Sequence, residues 1–383
     1  MRKVLAITGG RSDYYLLRPV YQAIMDHPEL ELRLVVAGAH LSEQHGGTMQ
    51  DVESDAYPIV GRIDNLIASD ARVDRLRGLA RQLVELTEIV AREEPDVLFV
   101  PMDREEAITI ALCGAYLHLP SVHYGAGDRV VGNVDDMVRH AVSRLCHVLL
   151  TTHEASRARL IQAGEESFRV LNVGSSGLDR LRLTPELSRE ALAEALGVEA
   201  VDDKYLVVVQ HPLSSDVENS GAYMEETLAA ALASGLQVFV SYPNSDAGSQ
   251  AIIEVIEGYR GHARVEIFRN VPEIPFVNLL RMASALVGNS SMGLFEAPYL
   301  HLPAINAGAR QTNRIQCENV FFVPSDRAAI TEMIDQVLND DAMKQQVANC
   351  SQPFGDGQAG PRIAQLLAEL ELDTKLLNKD ISY

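Results

Sequence analysis

The chain alternates throughout between short apolar segments and segments whose apolar residues have helical spacing, and this alternation most constrains its fold. Apolar runs such as residues 4–8 and 97–100 read as strands, and residues 72–91 form the longest helical pattern. Strands that alternate with helices favour parallel sheets covered by helices. The alternation restarts at residue 206, after a segment at 184–196 that is predicted as a connecting helix.

The predicted strands form two series, and each series is expected to build one sheet. The first series comprises residues 4–8, 32–37, 97–100, 121–124, 148–152 and 170–173. The second series comprises residues 206–210, 237–240, 265–268, 285–287 and 304–306. We therefore predict an α/β protein with two Rossmann-like domains, at residues 1–182 and 183–358, whose parallel sheets face a cleft. A final helix within residues 359–383 is expected to pack back on the N-terminal domain.

Charge and cysteine usage exclude several classes of partner. The formal net charge is −20, which disfavours binding to nucleic acid or to an anionic membrane. No apolar run is long enough to span a bilayer, and the four cysteines lie far apart without paired spacing. We therefore expect a cytoplasmic protein, in which an anionic substrate needs a local cluster of Arg, His and backbone donors.

One Gly- and Ser-rich segment has the pattern of a diphosphate-binding turn. Residues 288–293, Gly-Asn-Ser-Ser-Met-Gly, follow a predicted strand and precede a predicted helix. The backbone N–H groups of such a turn face an anion, and the helix N-terminus adds the positive end of its dipole. Glu296 would then lie where a carboxylate accepts hydrogen bonds from a ribose. An ordinary capped helix has the same residue types, so the segment alone leaves both interpretations open.

Polar residues follow several other predicted strands, which is where ligands bind in open parallel sheets. Asp103 and Asp128 fit a carboxylate pair that moves a proton on carbon, with helix capping as the alternative. His211 fits a general acid or base, or else a histidine at the edge of the core. Asp135 and Arg139 are one helical turn apart, a spacing that also suits a surface salt bridge.

Several common motifs are missing from the sequence. The segment Gly9-Gly10-Arg11 lacks the full Gly-x-Gly-x-x-Gly fingerprint, so a nicotinamide dinucleotide is disfavoured. There is no Walker A sequence, no Gly-x-Ser-x-Gly elbow and no metalloprotease spacing of histidines.

In their order and spacing, the motifs together resemble one family, the hydrolysing UDP-N-acetylglucosamine 2-epimerases of sialic-acid and legionaminic-acid biosynthesis. The resemblance extends from the first strand to the last helix and implies the glycosyltransferase-B architecture. The segments that carry it are residues 8–14 (Thr-Gly-Gly-Arg-Ser-Asp-Tyr), 103–106 (Asp-Arg-Glu-Glu), 135–140 (Asp-Asp-Met-Val-Arg-His), 211–212 (His-Pro), 244–249 (Asn-Ser-Asp-Ala-Gly-Ser), 288–298 and 310–311 (Arg-Gln).

The resemblance implies a set of site residues and a reaction. The implied catalytic residues are Asp103, Asp128, His211 and Asp135. The implied substrate- and UDP-binding residues are Arg11, Glu106, Arg139, Asn244, Asp246, Ser290, Ser291, Gly293, Glu296 and Arg310. The implied reaction converts UDP-N-acetylglucosamine to N-acetylmannosamine and UDP by elimination to a 2-acetamidoglucal and hydration. It requires no metal or redox cofactor, and the family suggests a homodimer or homotetramer.

The chain departs from the family pattern at a few positions. Residues 125–128 read Gly-Ala-Gly-Asp where the family usually has His-Gly-Gly-Glu, and Ala309 precedes Arg310 where the family has Asp. Asp13 stands where Glu is usual, and Met292 replaces a common Ser. These changes leave a UDP-2,4-diacetamido-2,4,6-trideoxyhexose as an alternative substrate. A glycosyltransferase of the same architecture and a non-catalytic binder of nucleotide sugars are further alternatives.

Overall fold

The computed structural model describes residues 1–42, 48–67, 72–129, 134–213, 216–244, 248–269, 271–312 and 314–380. The chain divides into two compact units. The first unit comprises Met1–Arg182 and Pro353–Tyr383, and the second comprises Leu183–Gln352. Within the described ranges, no helix is both long enough and apolar enough to cross a bilayer.

The first unit contains a seven-stranded sheet in which every pairing is parallel. Its strands, in chain order, are β1 (Arg2–Thr8), β2 (Leu30–Ala37), β3 (Ile59–Ile63), β4 (Val97–Pro101), β5 (Ser121–Tyr124), β6 (Val148–Thr151) and β7 (Val170–Asn172). The order across the sheet is β3-β2-β1-β4-β5-β6-β7. The order therefore reverses between β1 and β4, which makes that boundary the switch point of the sheet.

Both faces of this sheet are covered by helices. The helices that begin before Leu183 are α1 (Arg11–Asp26), α2 (Met49–Ser54), α3 (Arg72–Glu93), α4 (Glu105–Leu117), α5 (Val134–Leu145), α6 (Glu154–Gln162) and α7 (Ser176–Leu183). Alternate residues of β1 enter opposite cores, with Val4 and Ala6 on one face and Leu5 and Ile7 on the other. Because both faces are buried there, residues 4–7 of this strand form a continuous apolar run.

The C-terminal segment belongs to the first unit. Its helix α15 (Ala359–Glu369) packs on α1, and it places Ile363 and Leu367 in the same core as the tyrosines of α1. The carboxylate of Asp179 accepts hydrogen bonds from the backbone N–H groups of Ala359, at 2.9 Å, and Gly360, at 2.7 Å. An acidic side chain therefore caps the N-terminus of this helix.

The second unit contains a six-stranded sheet that is also entirely parallel. Its strands are β8 (Tyr205–Val209), β9 (Gln237–Ser241), β10 (Val265–Phe268), β11 (Ala285–Gly288), β12 (Ala304–Ala307) and β13 (Val320–Val323). The order is β10-β9-β8-β11-β12-β13, so the switch point lies between β8 and β11. The prediction of two parallel α/β domains is confirmed.

The helices of the second unit, together with the final helix of the chain, complete the fold. They are α8 (Arg189–Leu196), α9 (Ser220–Ala233), α10 (Ser249–Gly258), α11 (Glu273–Arg281), α12 (Met292–Phe295), α13 (Arg327–Asn339), α14 (Asp341–Ala348) and, in the first unit, α16 (Thr374–Leu377).

Some local predictions were wrong in detail. The sequence analysis missed the two edge strands β3 and β13, whose residues are mostly half-buried. The connecting helix predicted at 184–196 begins only at Arg189, because Pro185 interrupts the segment and Ser188 caps the helix.

Gly288 is required by its backbone conformation. Its φ is +130°, and a Cβ there would overlap the carbonyl oxygen of Val209 on the neighbouring strand. We predict that Gly288→Ala lowers the free energy of unfolding by roughly 2–4 kcal/mol, because strain and overlap add. Gly258→Ala is the matched control, since no atom lies within 4 Å of its added Cβ. Urea denaturation checks both; equal effects would contradict the prediction.

Candidate functional site

The site residues follow strands that meet at the switch point of each sheet. In the first unit, Gly9 follows β1 and Asp103 follows β4. In the second unit, His211 follows β8 and Asn289 follows β11. Because parallel strands end at one edge, chain segments that are distant in sequence come together at these two points.

A buried arginine organises the acidic residues of the first unit. The side chain of Arg139, on α5, is 3% exposed and donates a hydrogen bond to the carboxylate of Asp103. Its Nη1 lies 3.5 Å from Oδ2 of Asp128. Among the described residues, neither Nε nor Nη1 of Arg139 has a hydrogen-bond acceptor. The guanidinium therefore contacts two carboxylates, and its Nε and Nη1 remain buried donors beside them.

Asp128 is held in its ionised form. Burial acts to raise its pKa, but the hydrogen bond from His153 and the charge of Arg139 outweigh burial and lower the pKa to about 2. Nε2 of His153 lies 3.5 Å from Oδ1 of Asp128, and Nδ1 of His153 accepts the backbone N–H of Ser156 at 3.1 Å. The histidine thus caps α6 and contacts the acid at the same time.

Asp103 has the opposite tendency. Burial raises its pKa, and the negative charge of Asp135 adds to this effect, while Arg139 opposes it. Asp103 and Asp135 line one cavity of the first unit. The cluster therefore contains two aspartates whose pKa values are shifted in opposite directions by their surroundings.

A buried histidine fixes the turn that carries Asp103. The preceding residue, Met102, has a φ of +43°, an unfavourable value for a side chain other than glycine. Its carbonyl oxygen lies 2.6 Å from Nε2 of His123, and its N–H donates to the carbonyl of Tyr124 at 3.0 Å. Burial lowers the pKa of His123 to about 3, so the ring is neutral at neutral pH and serves as a donor to Met102.

Glu106 lies away from this cluster, below the turn after β1. It is 7% exposed, and its carboxylate packs so closely on Gly9 that a Cβ there would overlap it. Burial and the nearby charge of Asp13 raise the pKa of Glu106 to about 7, against the opposing charge of Arg104. Asp13 itself accepts hydrogen bonds from the Thr8 hydroxyl, at 2.8 Å, and from the Gly9 N–H, at 3.3 Å.

In the second unit, Asn289 pairs with the backbone of His211. Its Oδ1 accepts the His211 N–H at 2.8 Å, and its Nδ2 donates to the His211 carbonyl at 2.9 Å. Nδ1 of His211 accepts the backbone N–H of Asn244 at 3.1 Å. The proton of a neutral His211 ring is therefore assigned to Nε2.

Asn289 also forms hydrogen bonds with residues that follow β12. The carbonyl oxygen of Asn289 accepts hydrogen bonds from Arg310 Nη1, at 3.2 Å, and from Gln311 Nε2, at 2.9 Å. Ser290 is buried, and Ser291 occupies the N-cap position of the single helical turn of α12 without a side-chain capping hydrogen bond. The predicted helix after this turn is thus only four residues long, which limits the dipole that it contributes.

Most of the predicted site residues fall into two groups; Glu106 packs on Gly9 instead, and Arg11 and Asp246 are assigned to neither group. Asp103, Asp128, Asp135 and Arg139 come together in the first unit. In the second unit, Gly293 and Glu296 continue from the turn at Ser290 and Ser291, and that turn shares Asn289 with His211 and Arg310. Arg11 begins α1, and its side chain lies outside the described part; Asp246 lies outside the described residues altogether.

Two residues of these clusters had no assigned role in the sequence analysis. His153 follows β6, so the rule about strand ends would have found it. Asn289 has the appearance of an ordinary cap in the sequence, and only its two bonds to His211 reveal its role. Among the described residues, no group of His, Cys, Asp and Glu has an arrangement that could hold a metal ion.

Comparisons with known proteins point to one family. The model of the family described as UDP-N-acetylglucosamine 2-epimerase matches residues 22–368. The chain is 33% identical over its full length, and over 100% of that protein, to UDP-N,N'-diacetylbacillosamine 2-epimerase (hydrolyzing) of Legionella pneumophila. It is 29% identical to GDP/UDP-N,N'-diacetylbacillosamine 2-epimerase (hydrolyzing) of Campylobacter jejuni, covering 83% of each chain. These matches confirm the resemblance.

A solved structure shows the same fold. The crystal structure of UDP-GlcNAc 2-epimerase from Neisseria meningitidis bound to UDP-GlcNAc aligns with a TM-score of 0.79 at 18% identity. The alignment covers 96% of this chain and 100% of that one.

The buried carboxyl of Glu106 generates a prediction about stability. Its pKa is raised from 4.5 to about 7, so between these pH values the folded chain holds a proton that the unfolded chain has lost. The free energy of unfolding from this group therefore falls as the pH rises through that range. We predict that Glu106→Gln is more stable than the wild type at pH 8 by about 1–3 kcal/mol, with the difference vanishing near pH 4.5.

Glu105→Gln is the control for this measurement. Burial acts to raise the pKa of Glu105, but its own backbone N–H and Arg75 outweigh burial and lower it, so this variant should lose stability at pH 8. Urea denaturation at several pH values checks both signs. A Glu106→Gln variant that is less stable than the wild type at pH 8 would show that the ionised carboxylate stabilises the turn.

Proposed function

Because the chain belongs to the UDP-N-acetylglucosamine 2-epimerase family, we propose that it is a hydrolysing 2-epimerase that converts UDP-N-acetylglucosamine to N-acetylmannosamine and UDP. The observation that carries the proposal is the cluster of Arg139, Asp103 and Asp128 at the end of β4 and β5. Two carboxylates with pKa values shifted apart suit a reaction that moves a proton on carbon while another charge develops nearby.

The chemistry demands such a pair. C2 of an N-acetylhexosamine is not next to a carbonyl carbon, so its proton cannot be removed by enolisation. Elimination offers a route: a base takes the C2 proton, the C1–C2 double bond forms, and the bond from C1 to the diphosphate oxygen breaks with its electron pair leaving on UDP. Water then adds at C1, and a proton returns to the opposite face of C2. The sum is one water consumed for each UDP released.

The different surroundings of Asp103 and Asp128 favour different roles in the reaction. Asp103, whose pKa burial raises, is the more basic of the two and is assigned the proton at C2. Asp128 has a pKa of about 2 and stays ionised, so it is assigned the stabilisation of positive charge at C1. Arg139 keeps the two carboxylates in place.

The second unit is assigned the nucleotide. Its turn at residues 288–293 offers backbone N–H groups and the hydroxyls of Ser290 and Ser291. Arg310 adds a positive charge beside the turn, because it contacts the carbonyl oxygen of Asn289. Such donors stabilise the diphosphate as negative charge develops on it. Glu296 keeps its predicted role at the ribose, and His211 its predicted role as an acid or base.

A second substrate is supported by a specific observation. The relative from Legionella pneumophila, which matches over the whole chain, is named for UDP-N,N'-diacetylbacillosamine, a 2,4-diacetamido-2,4,6-trideoxyhexose carried on UDP. The chain also has Gly-Ala-Gly-Asp at residues 125–128, close to the proposed chemistry. The same elimination applies to either sugar, since both carry the 2-acetamido group and the UDP leaving group.

An NMR time course in deuterated water tests the reaction. We predict that the protein releases UDP from a UDP-2-acetamido sugar without an acceptor, and that the free product carries deuterium at C2. Retention of the C2 proton would exclude the elimination. Turnover that depends on an added acceptor would indicate a glycosyltransferase, and UDP binding without any turnover would indicate a sensor.

Variants of the acidic cluster test the assigned roles. We predict that Asp103→Asn lowers kcat by roughly 100-fold or more while UDP affinity stays within about twofold, because the amide cannot take the C2 proton. Asp26→Asn, an exposed aspartate of the first unit, is the control and should leave kcat unchanged. Loss of folding in Asp103→Asn, seen by circular dichroism, would instead indicate a structural role in holding Arg139.

A variant of the second unit tests the nucleotide site. We predict that Arg310→Ala weakens UDP binding by roughly 10- to 100-fold, the value of a charge-assisted hydrogen bond to phosphate. Arg327→Ala removes a half-exposed arginine of the same unit that pairs with Glu226, and it should leave UDP affinity unchanged. Titration calorimetry measures both. Equal affinities in the two variants would refute the assignment of the diphosphate to this turn.

A further inference from the structure

The loop that follows β5 has a glycine where the family usually has a histidine. Gly125 has a φ of +80°, and a Cβ built there would lie 2.7 Å from Sδ of Met102. A side chain at this position would strain the backbone and displace the Met102 thioether. The loop ends in Asp128, and none of residues 125–128 is a histidine. Any imidazole that serves this acid must therefore come from another part of the chain.

The structure places His153 beside Asp128. His153 follows β6 and directly precedes α6, and β6 pairs with β5, so the segments after these two strands lie next to each other. Nε2 of His153 lies 3.5 Å from Oδ1 of Asp128, and the His153 side chain is only 4% exposed. The two side chains therefore meet although they belong to different loops.

The N-cap of α6 determines which nitrogen of His153 faces the acid. Nδ1 accepts the backbone N–H of Ser156 at 3.1 Å, so a neutral ring carries its proton on Nε2. That proton faces the hydroxyl oxygen of Ser156, at 3.0 Å from Nε2, and Oδ1 of Asp128. Because Asp128 is ionised, its carboxylate is the stronger acceptor of the two. The cap therefore presents a donor to Asp128.

An aromatic contact also fixes the ring of His153. The ring of Phe354 meets it at a right angle, with 5.5 Å between the two centroids. Phe354 is itself buried, and its carbonyl oxygen accepts the backbone N–H of Ser175 at 2.7 Å. His153 is thus preorganised, because Nδ1 and the ring each have a fixed partner within the protein.

Each oxygen of Asp128 has its own partners. Oδ1 accepts the backbone N–H of Arg129 at 2.9 Å and faces His153, whereas Oδ2 lies 3.5 Å from Nη1 of Arg139. Burial raises the pKa of Asp128, and the hydrogen bond from His153 is the largest of the effects that lower it. Since Arg139 also contacts Asp103, His153 is the side-chain donor that distinguishes Asp128 from Asp103.

From these contacts we infer that His153 is a positioning residue for the proposed reaction, which acts through Asp128 by holding its carboxylate in the orientation that stabilises positive charge at C1. The inference rests on the proposed function, because only that reaction gives Asp128 this role. His153 itself neither takes nor gives a proton in the reaction. A histidine at the N-cap of α6 thus serves the acid in a chain whose own loop lacks the histidine usual in the family.

Two amide variants separate the contact with Asp128 from the cap of α6. Asparagine is among the best N-cap residues, so His153→Asn keeps an acceptor for the Ser156 N–H, but its shorter side chain does not reach Asp128. His153→Gln has the opposite properties, because its longer amide carries N–H donors to the place of Nε2 while glutamine is not a preferred cap.

The measurements are kcat for UDP release, the urea midpoint of unfolding and UDP affinity. We predict that His153→Asn lowers kcat by roughly 10- to 100-fold, the cost of a misplaced catalytic group, and keeps the urea midpoint of the wild type. His153→Gln should lower the urea midpoint and retain more of kcat than His153→Asn does. UDP affinity should stay unchanged in both variants, because UDP is assigned to the second unit.

Asp373→Ala is the control for the loss of a cap. The carboxylate of Asp373 accepts the backbone N–H of Leu376 at 2.8 Å and caps α16 in the same unit. This variant should leave kcat unchanged, whatever its effect on the urea midpoint.

A double variant with Asp128→Asn tests whether His153 acts through the acid. We expect Asp128→Asn to lower kcat on its own, and His153→Asn to cause little further loss in that background, since the charge that His153 orients is gone. Losses that multiply in the double variant would show that the two residues act independently and would overturn the inference.

Two further outcomes separate the remaining explanations. If kcat follows the urea midpoint, so that His153→Gln is the poorer variant in both measurements, His153 serves only as a cap, and the inference is overturned while the proposed function stands. If the wild type releases UDP from neither UDP-N-acetylglucosamine nor the diacetamido sugar, the proposed function fails and the inference fails with it.

Discussion

Parallel pairing of all strands is the constraint on which both sites depend. Because every strand of a parallel sheet ends at the same edge, residues that follow β1, β4 and β5 are brought together although they are far apart in the chain. The strand order reverses beside β1, and the second sheet repeats this arrangement at β8 and β11. The topology thus determines where the functional residues lie, and the types of these residues distinguish the edge of the first sheet from that of the second.

At the first edge, two aspartates that share one cation have different properties. Asp103 and Asp128 are both aspartates after strands, and both contact Arg139. Asp128 also receives His153, which helps hold its pKa near 2, whereas Asp103 faces the negative charge of Asp135 and its pKa rises. The difference arises from third residues on other elements, since burial acts on both acids in the same direction. The neutral ring of His123 holds the turn before Asp103, in which the backbone of Met102 is strained.

The sequence was sufficient for the inner strands and for the edge strands β7 and β10, but it missed the edge strands β3 and β13. An inner strand such as β4 is buried on both faces and reads as a pure apolar run, so its pattern is unambiguous. Strand β3 contains Gly61 and Arg62 and is mostly half-buried, which weakens its pattern. Strand β13 is apolar, but among the described residues no helix separates it from β12, so it breaks the alternation on which the prediction relied. Pattern reasoning thus works best where burial is complete.

The same limit applies to the site. Position after a strand was enough to nominate Asp103, Asp128 and His211, but it could not separate an acid that faces ligand space from one that supports backbone. Glu106 lies three residues after Asp103, yet its carboxylate packs against Gly9 near Asp13, whereas Asp103 contacts Arg139. Within a helix, side chains three residues apart share a face. Asp103 precedes α4, which begins at Glu105, so this rule does not apply to Asp103 and Glu106, and the two carboxyls have different surroundings. Such a distinction depends on which neighbours the fold supplies, and those neighbours come from β1 and α1, about a hundred residues earlier in the chain.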